Sequence, residues 1–211
     1  MELFEAIAAQ RAIRRYNPDP VPEEAIRKII EAATRAPSGG NRQPWRFIII
    51  RDPELKRKLG EYYKVGITRA YGNRVPAPPA DETPAQRRRR EASAWLTDHM
   101  GDVPVLIMVC AYNEDDPAAT NLAQLGSSIY LAVQNLLLAA TGLGLGTVIT
   151  TLHKLCDAEV KELLGIPKEA ETAALIPLGY PGNVSFGGSR RRPIEQVMFY
   201  DRWGTVKPSS A

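Results

Sequence analysis

The chain has 211 residues, 44% of them hydrophobic and 24% charged, and its net charge is only +3. That balance is ordinary for a globular protein, long enough to bury a core and too nearly neutral to argue for nucleic acid as a partner. Two cysteines, Cys110 and Cys156, and two histidines, His99 and His153, provide neither a disulfide framework, a Cys-x-x-Cys redox pair nor a zinc cluster.

Leu3, Phe4, Ile7 and Ala8 fall on one face of a short first helix, whose start has neither a basic nor an apolar leader pattern. A basic stretch follows, Gln10-Arg11-Ala12-Ile13-Arg14-Arg15-Tyr16, and Asn17-Pro18-Asp19-Pro20 breaks the chain. Pro22 opens a second helix with an apolar stripe at Ile26, Ile29, Ile30 and Ala33, and Pro37 stops it. Ser38–Pro44 reads as a loop and Trp45–Ile50 as a buried strand. Asp52-Pro53 caps and starts a helix through Leu59. From Tyr62 to Ala80 the glycines and prolines predict a long loop, part of a variable lid or insertion over 62–100. Glu82–Met100 reads as a helix with Arg87-Arg88-Arg89-Arg90 on its wet face, the competing reading being an anion contact.

Val103–Cys110 is a strong buried strand, and Asn121–Ala140 a long apolar helix. The apolar region Ile129–Val148 is broken by Gln134, Asn135, Thr141 and three glycines, so it predicts a helix followed by a strand, Thr147–Thr151, and no membrane span. Asp157 caps a helix through Leu164, and Thr172–Leu178 is the last strand. Pro181–Ser189 is a loop, Arg190–Tyr200 is extended, and Asp201–Ala211 is a tail. Strands separated irregularly by helices predict a sheet with helices packed on it in one domain, 1–211; with no leader pattern and no membrane span, a cytoplasmic location is expected.

Three stretches carry candidate chemistry. Arg11, Arg14 and Arg15 suit a phosphate monoester through planar, charge-assisted hydrogen bonds, although a solvated patch has the same composition. The run Ser38-Gly39-Gly40-Asn41-Arg42-Gln43-Pro44-Trp45 joins a helix to a strand, with small residues for close backbone approach and two amides to donate and accept. Arg190-Arg191-Arg192-Pro193 is a second cationic cluster far along the chain. Gly142, Gly144 and Gly146 stand between a helix and a strand, the wrong order for a dinucleotide fingerprint. With so few acid–base candidates, a cofactor is the natural carrier of a difficult step.

In this order, together with Gly144-Leu145-Gly146-Thr147-Val148-Ile149-Thr150-Thr151 and Leu178-Gly179-Tyr180-Pro181, these stretches resemble the nitroreductase family of FMN oxidoreductases. The resemblance covers most of residues 2–203 and is weakest over 62–100. It implies an α+β fold with a central mixed or antiparallel sheet flanked by helices, and a homodimer that exchanges C-terminal extensions. It also implies bound FMN at the subunit interface, NADH or NADPH as electron donor, and a small-molecule electron acceptor, with no nucleic-acid or membrane partner. Arg11 and Arg14 would then hold the ribityl phosphate with the Ala12 backbone nearby, and Arg191 would close on it with Arg190 beside it. Pro37, Ser38 and Gly39 would approach the ring or ribityl chain. Asn41 and Gln43 would bond the polar ring edge, and Ile149, Thr150 and Thr151 would pass along the ring.

Two positions depart from the family pattern. Gln10 stands where the family has arginine, and Ala12 where it has a small hydroxyl residue. Arg15 and Arg190 are the candidates to compensate. The resemblance extends to relatives that dehalogenate an aromatic amino acid or fragment flavin, and a flavin-sequestering or regulatory dimer is the non-enzymatic alternative. Tyr62, Tyr63, Tyr71 and Trp95 are candidates either for an acceptor pocket or for plain packing.

Overall fold

The computed structural model describes residues 1–72, 78 and 81–206. The helices are α1 (Leu3–Ala9), α2 (Glu23–Thr34), α3 (Pro53–Tyr71), α4 (Pro84–His99), α5 (Leu122–Gly142) and α6 (Asp157–Leu164). The strands are β1 (Trp45–Ile50), β2 (Val105–Ala111), β3 (Gly146–Thr147) and β4 (Glu171–Gly179). They form one sheet in the order β1-β2-β4-β3, with every neighbouring pair antiparallel.

Strand β2 lies at the centre and is buried along its whole length. Alternate side chains point to opposite faces of a strand. Val105, Ile107, Val109 and Ala111 accordingly join a core with α2 and α5, while Leu106, Met108 and Cys110 join a second core beneath α3 and α6. This explains the unbroken apolar run: the sheet is covered on both sides, so neither face needs polar residues. Helix α5 is long and apolar enough by composition to cross a bilayer. Here it packs on α2 and the sheet, with Ile129, Ala132, Leu136 and Ala140 fully buried.

Local chemistry sets the helix ends. The Asp52 carboxylate accepts from the Leu55 N–H at 2.8 Å and Pro53 occupies the first turn of α3. Thr83 and Gln86 form a reciprocal capping box at the start of α4. The Asn121 side chain accepts from Ala123 N–H at 2.8 Å to start α5.

Four expectations change. The loop predicted from Tyr62 is helix as far as Tyr71, where Gly72 ends it at a φ of +71°. Tyr63 and Gly66 continue into this extension the buried stripe that Leu59 begins. Gly66 is a contact residue here and not a breaker: a Cβ on it would lie 2.4 Å from the Leu152 carbonyl oxygen. The predicted loop's residues 73–77, 79 and 80, and the tail's residues 207–211, lie outside the described residues. The strand expected over Thr147–Thr151 shrinks to Gly146–Thr147, with one further bridge from Thr150 to Leu175. Asp157 is the first residue of α6, and Cys156 takes the cap position. In Arg190–Tyr200 the extended chain contains a short turn at Ile194–Gln196.

The apolar face of α1 also differs from a core face. Ala6 is buried, whereas Leu3, Phe4 and Ile7 are 62%, 83% and 50% exposed. The C-terminal segment is similarly open, with Ile194, Val197 and Trp203 exposed.

Candidate cofactor site

The arginine stretch runs from α1 along the short strand β3. Ala12 bridges Thr147 in parallel, and the Ile13 N–H donates to the Thr147 carbonyl at 2.9 Å. The Ile13 side chain is buried against Gly146, where a Cβ would meet its Cγ2 at 2.6 Å. That glycine is therefore required by close approach. Further along, the Gly182 N–H donates to the Arg15 carbonyl at 2.9 Å, and the Asn17 N–H to the Tyr180 carbonyl at 2.9 Å. The buried Tyr16 hydroxyl donates to the Ile13 carbonyl at 2.5 Å. Ile13 and Tyr16 are held inside, while Arg11 is exposed and Arg14 and Arg15 are half-buried.

Arg11, Arg14 and Arg15 line a cavity of about 380 Å³, together with Ala12. Arg190 enters it from the other end of the chain, and Arg88 and Arg89 of α4 enter from a third direction. None of these six guanidiniums has a carboxylate within 4.0 Å among the described residues. Adjacent cations without counter-ions repel one another, and an entering anion relieves that repulsion. A multiply charged anion such as a phosphate monoester, with three acceptor oxygens, matches this donor set.

The remaining expected positions are distributed differently. Gln10 ends α1, its N–H bonded to the Ala6 carbonyl at 2.9 Å, and does not line the cavity. Arg191 donates to the Ser189 carbonyl at 3.4 Å, and Arg190, not Arg191, lines the cavity. The Thr150 N–H and hydroxyl both donate to the Leu175 carbonyl, at 3.1 and 2.6 Å, and its own carbonyl accepts from the Leu175 N–H at 2.9 Å. Thr150 is thus satisfied inside the chain, while Ile149 and Thr151 on either side are exposed.

The loop from Pro37 to Gln43 forms a separate station. Gly40, Asn41 and Gln43 all adopt positive φ, at 59°, 55° and 51°. For the two non-glycine residues this costs of order 1–3 kcal/mol each, and such strain concentrates at ligand sites. The Ser38 hydroxyl holds the bend by accepting from the Gln43 N–H at 3.1 Å, and the Gly39 N–H reaches the Ser128 hydroxyl on α5 at 3.4 Å. The Asn41 N–H donates to the Ser38 carbonyl at 2.9 Å, and its side-chain amide has no partner among the described residues. None of Pro37, Ser38, Gly39, Asn41 and Gln43 lines the arginine cavity.

All four arginines of the run are exposed, as a solvated face requires, and Arg88 and Arg89 also line the cavity, as the anion-contact alternative requires. Arg87 and Arg90 pair with Glu82, the latter at 2.8 Å, and so point away from the cavity. The missed signal was phase: Ala85, Arg88, Arg89 and Ala92 recur at the spacing of one helix face. Trp95 stacks on His99 with ring centroids 4.3 Å apart, and Tyr63 is buried, so both belong to packing.

No group of three or more metal-ligating side chains occurs among the described residues. His153 is fully buried, and neither ring nitrogen has a hydrogen-bond partner among the described residues. Burial pushes its pKa down from 6.5 to about 4, against a weaker opposing pull from Asp157. Burial likewise pushes the Cys110 thiol up to about 12. Both are core groups held neutral, and neither lines the cavity.

An α+β sheet covered on both faces, with a cationic cavity at the meeting of its two chain ends, defines a fold that is already known. Residues 7–180 match the Nitroreductase family, and the chain belongs to that family. It is 33% identical over 210 residues to an NADH dehydrogenase of Thermus thermophilus, covering 92% of this chain and 94% of that one. It is 29% identical over 203 residues to iodotyrosine deiodinase 1 of Rattus norvegicus, covering 93% and 68%. Among solved structures, oxidized iodotyrosine deiodinase bound to FMN and 3-iodo-L-tyrosine matches with a TM-score of 0.74 at 25% identity, covering 97% of this chain and 100% of that one. Family and relatives together make the protein an oxidoreductase.

Proposed function

We propose that the protein is an FMN-dependent oxidoreductase that takes electrons from NADH or NADPH and passes them to an electron-poor small molecule such as a nitroaromatic or quinone. The observation that carries this reading is the convergence of unpaired Arg11, Arg14 and Arg190 on one cavity from opposite ends of a nitroreductase-family chain. The residues fit the cofactor: guanidiniums without carboxylate partners suit its phosphate, and a bent loop with an unbonded amide suits its ring edge. When bound, FMN supplies two-electron acceptance and release, which matches a ping-pong cycle in which donor and acceptor occupy the same place in turn.

The chain's own residues bind and orient. Arg11, Arg14 and Arg190 hold the phosphate. Ser38 keeps Gln43 and Asn41 in their left-handed conformations, so the amides meet the ring edge without reorganising. Exposed Ile149 and Thr151 border the ring. No side chain is needed as nucleophile. The loop and the cavity are separate stations in one chain, and a second copy joins them: the loop of one subunit completes the cavity of the other. The open apolar residues Leu3, Phe4 and Ile7 of α1, with Ile194 and Trp203 of the C-terminal segment, supply the surface for that homodimer. Unpaired, buried Cys110 and Cys156 suit a reducing, cytoplasmic setting.

A second reading, reductive dehalogenation of an aromatic substrate, is favoured by the likeness to iodotyrosine deiodinase. Purification under mild conditions tests the main reading. A yellow dimer, or a colourless one that takes up added FMN, supports it, and a protein that binds no FMN refutes it.

A further inference from the structure

We infer that α4 is part of the cofactor-binding machinery, with Arg88 and Arg89 binding the same phosphate monoester as Arg11, Arg14 and Arg190. The inference rests on the reading of this cavity as the FMN site.

Four observations support it. First, the N-terminal stretch supplies the cavity with Arg11, Arg14 and Arg15 and with no further donor side chain. Gln10 does not line the cavity, and Ala12 offers it a methyl group where a hydroxyl would donate. Second, α4 brings two guanidiniums into that cavity, and neither is neutralised by a carboxylate. Third, the only acid engaged with this arginine run among the described residues is Glu82, and it is occupied by Arg87 and Arg90. Fourth, the phase is fixed. The Thr83–Gln86 capping box and Pro84 set where the helix begins. Ala85, Arg88, Arg89 and Ala92 then share one face, in which the two alanines leave room and the two arginines supply charge.

Helix geometry divides the run of four arginines between two faces. Two are neutralised on the outer side and two are left bare on the inner side, facing three further bare arginines of the N-terminal stretch. Helix α4 therefore belongs to the cofactor and not only to a substrate lid.

The test compares FMN with riboflavin, which has the same ring and lacks the phosphate. Dissociation constants are measured by fluorescence quenching for the wild type, Arg88→Gln/Arg89→Gln and the control Arg87→Ala. The double variant is expected to bind FMN about tenfold or more weakly, as loss of charge-assisted hydrogen bonds requires. Its riboflavin affinity should stay unchanged, as should both affinities of Arg87→Ala. An unchanged preference for FMN over riboflavin in the double variant overturns the inference, and so does a defect confined to the KM for NADPH. If the wild type binds neither flavin, the proposed function fails separately. Protection against thermal unfolding by inorganic phosphate then decides the inference: it is upheld if the double variant loses that protection and overturned if it does not.

Discussion

Replacing Gly146 by alanine probes how the arginine segment is held. Its added Cβ would lie 2.6 Å from Ile13 Cγ2, 2.8 Å from Cβ and 3.0 Å from Cγ1. Ordinary carbon contacts are about 3.5–4.0 Å, so one side must move by about 1 Å. Ile13 is 1% exposed and cannot swing into solvent. The movement therefore loads the Ile13 N–H bond to Thr147, now 2.9 Å, and carries it out of range. Overpacking costs about 1–3 kcal/mol and the lost bond about 1 more, which for a chain of this size lowers Tm by roughly 5–15 °C. Arg14 follows Ile13 directly and Arg11 lies two residues before it, so FMN affinity should fall with stability. Gly142→Ala is the control: a Cβ there meets nothing within 4 Å, and alanine favours the end of α5. Calorimetry and FMN titration of both variants decide. If Gly146→Ala melts with Gly142→Ala and holds FMN equally well, the close approach does not position the arginines.

Other consequences follow from the same geometry. His153 is kept neutral when folded, with a pKa near 4, whereas the unfolded chain takes up its proton near 6.5. The unfolded state thus binds more protons between those values, and stability falls as pH drops through that window, by about 3 kcal/mol in all. Urea midpoints measured from pH 7 to pH 4 should show this slope, and His153→Leu should flatten it. Gly66→Ala places a methyl 2.4 Å from the Leu152 carbonyl oxygen and should lower the urea midpoint by an amount corresponding to about 1–3 kcal/mol. An unchanged midpoint would mean that α3 does not dock there. Phe4→Asp, on the exposed face of α1, should shift sedimentation from dimer toward monomer and weaken FMN binding while leaving helix content intact. A dimer of unchanged strength would place the subunit contact elsewhere.

Much of the architecture is legible because single residues decide it. The run Val105–Ala111 needs two covered faces, and the sheet has them. Asp52-Pro53 and Asn121 start helices through hydrogen bonds made within one turn. What is hidden depends on partners distant in sequence. Gly66 resembles a breaker until Leu152 is brought beside it. Thr150 resembles a strand residue along a ligand until Leu175 engages both its backbone and its hydroxyl. The arginine run has no visible phase until the Thr83–Gln86 box fixes where the helix begins. The α1 stripe is readable as apolar, but sequence periodicity does not say what covers it, and among the described residues nothing covers Phe4. The cationic cavity is legible as charge at Arg11, Arg14 and Arg190. The aromatic candidates mark no pocket, because Tyr63 is buried and Trp95 stacks on His99.

The central claim, that this chain holds FMN and cycles it between donor and acceptor, is tested most directly by anaerobic stopped-flow absorbance. The FMN-loaded protein is mixed first with NADH or NADPH and then with a nitroaromatic, a quinone or 3-iodo-L-tyrosine. The account predicts loss of the oxidised-flavin absorbance in the first mix and its return with at least one acceptor in the second. Flavin that no nicotinamide reduces, in protein that is folded and loaded, would contradict it.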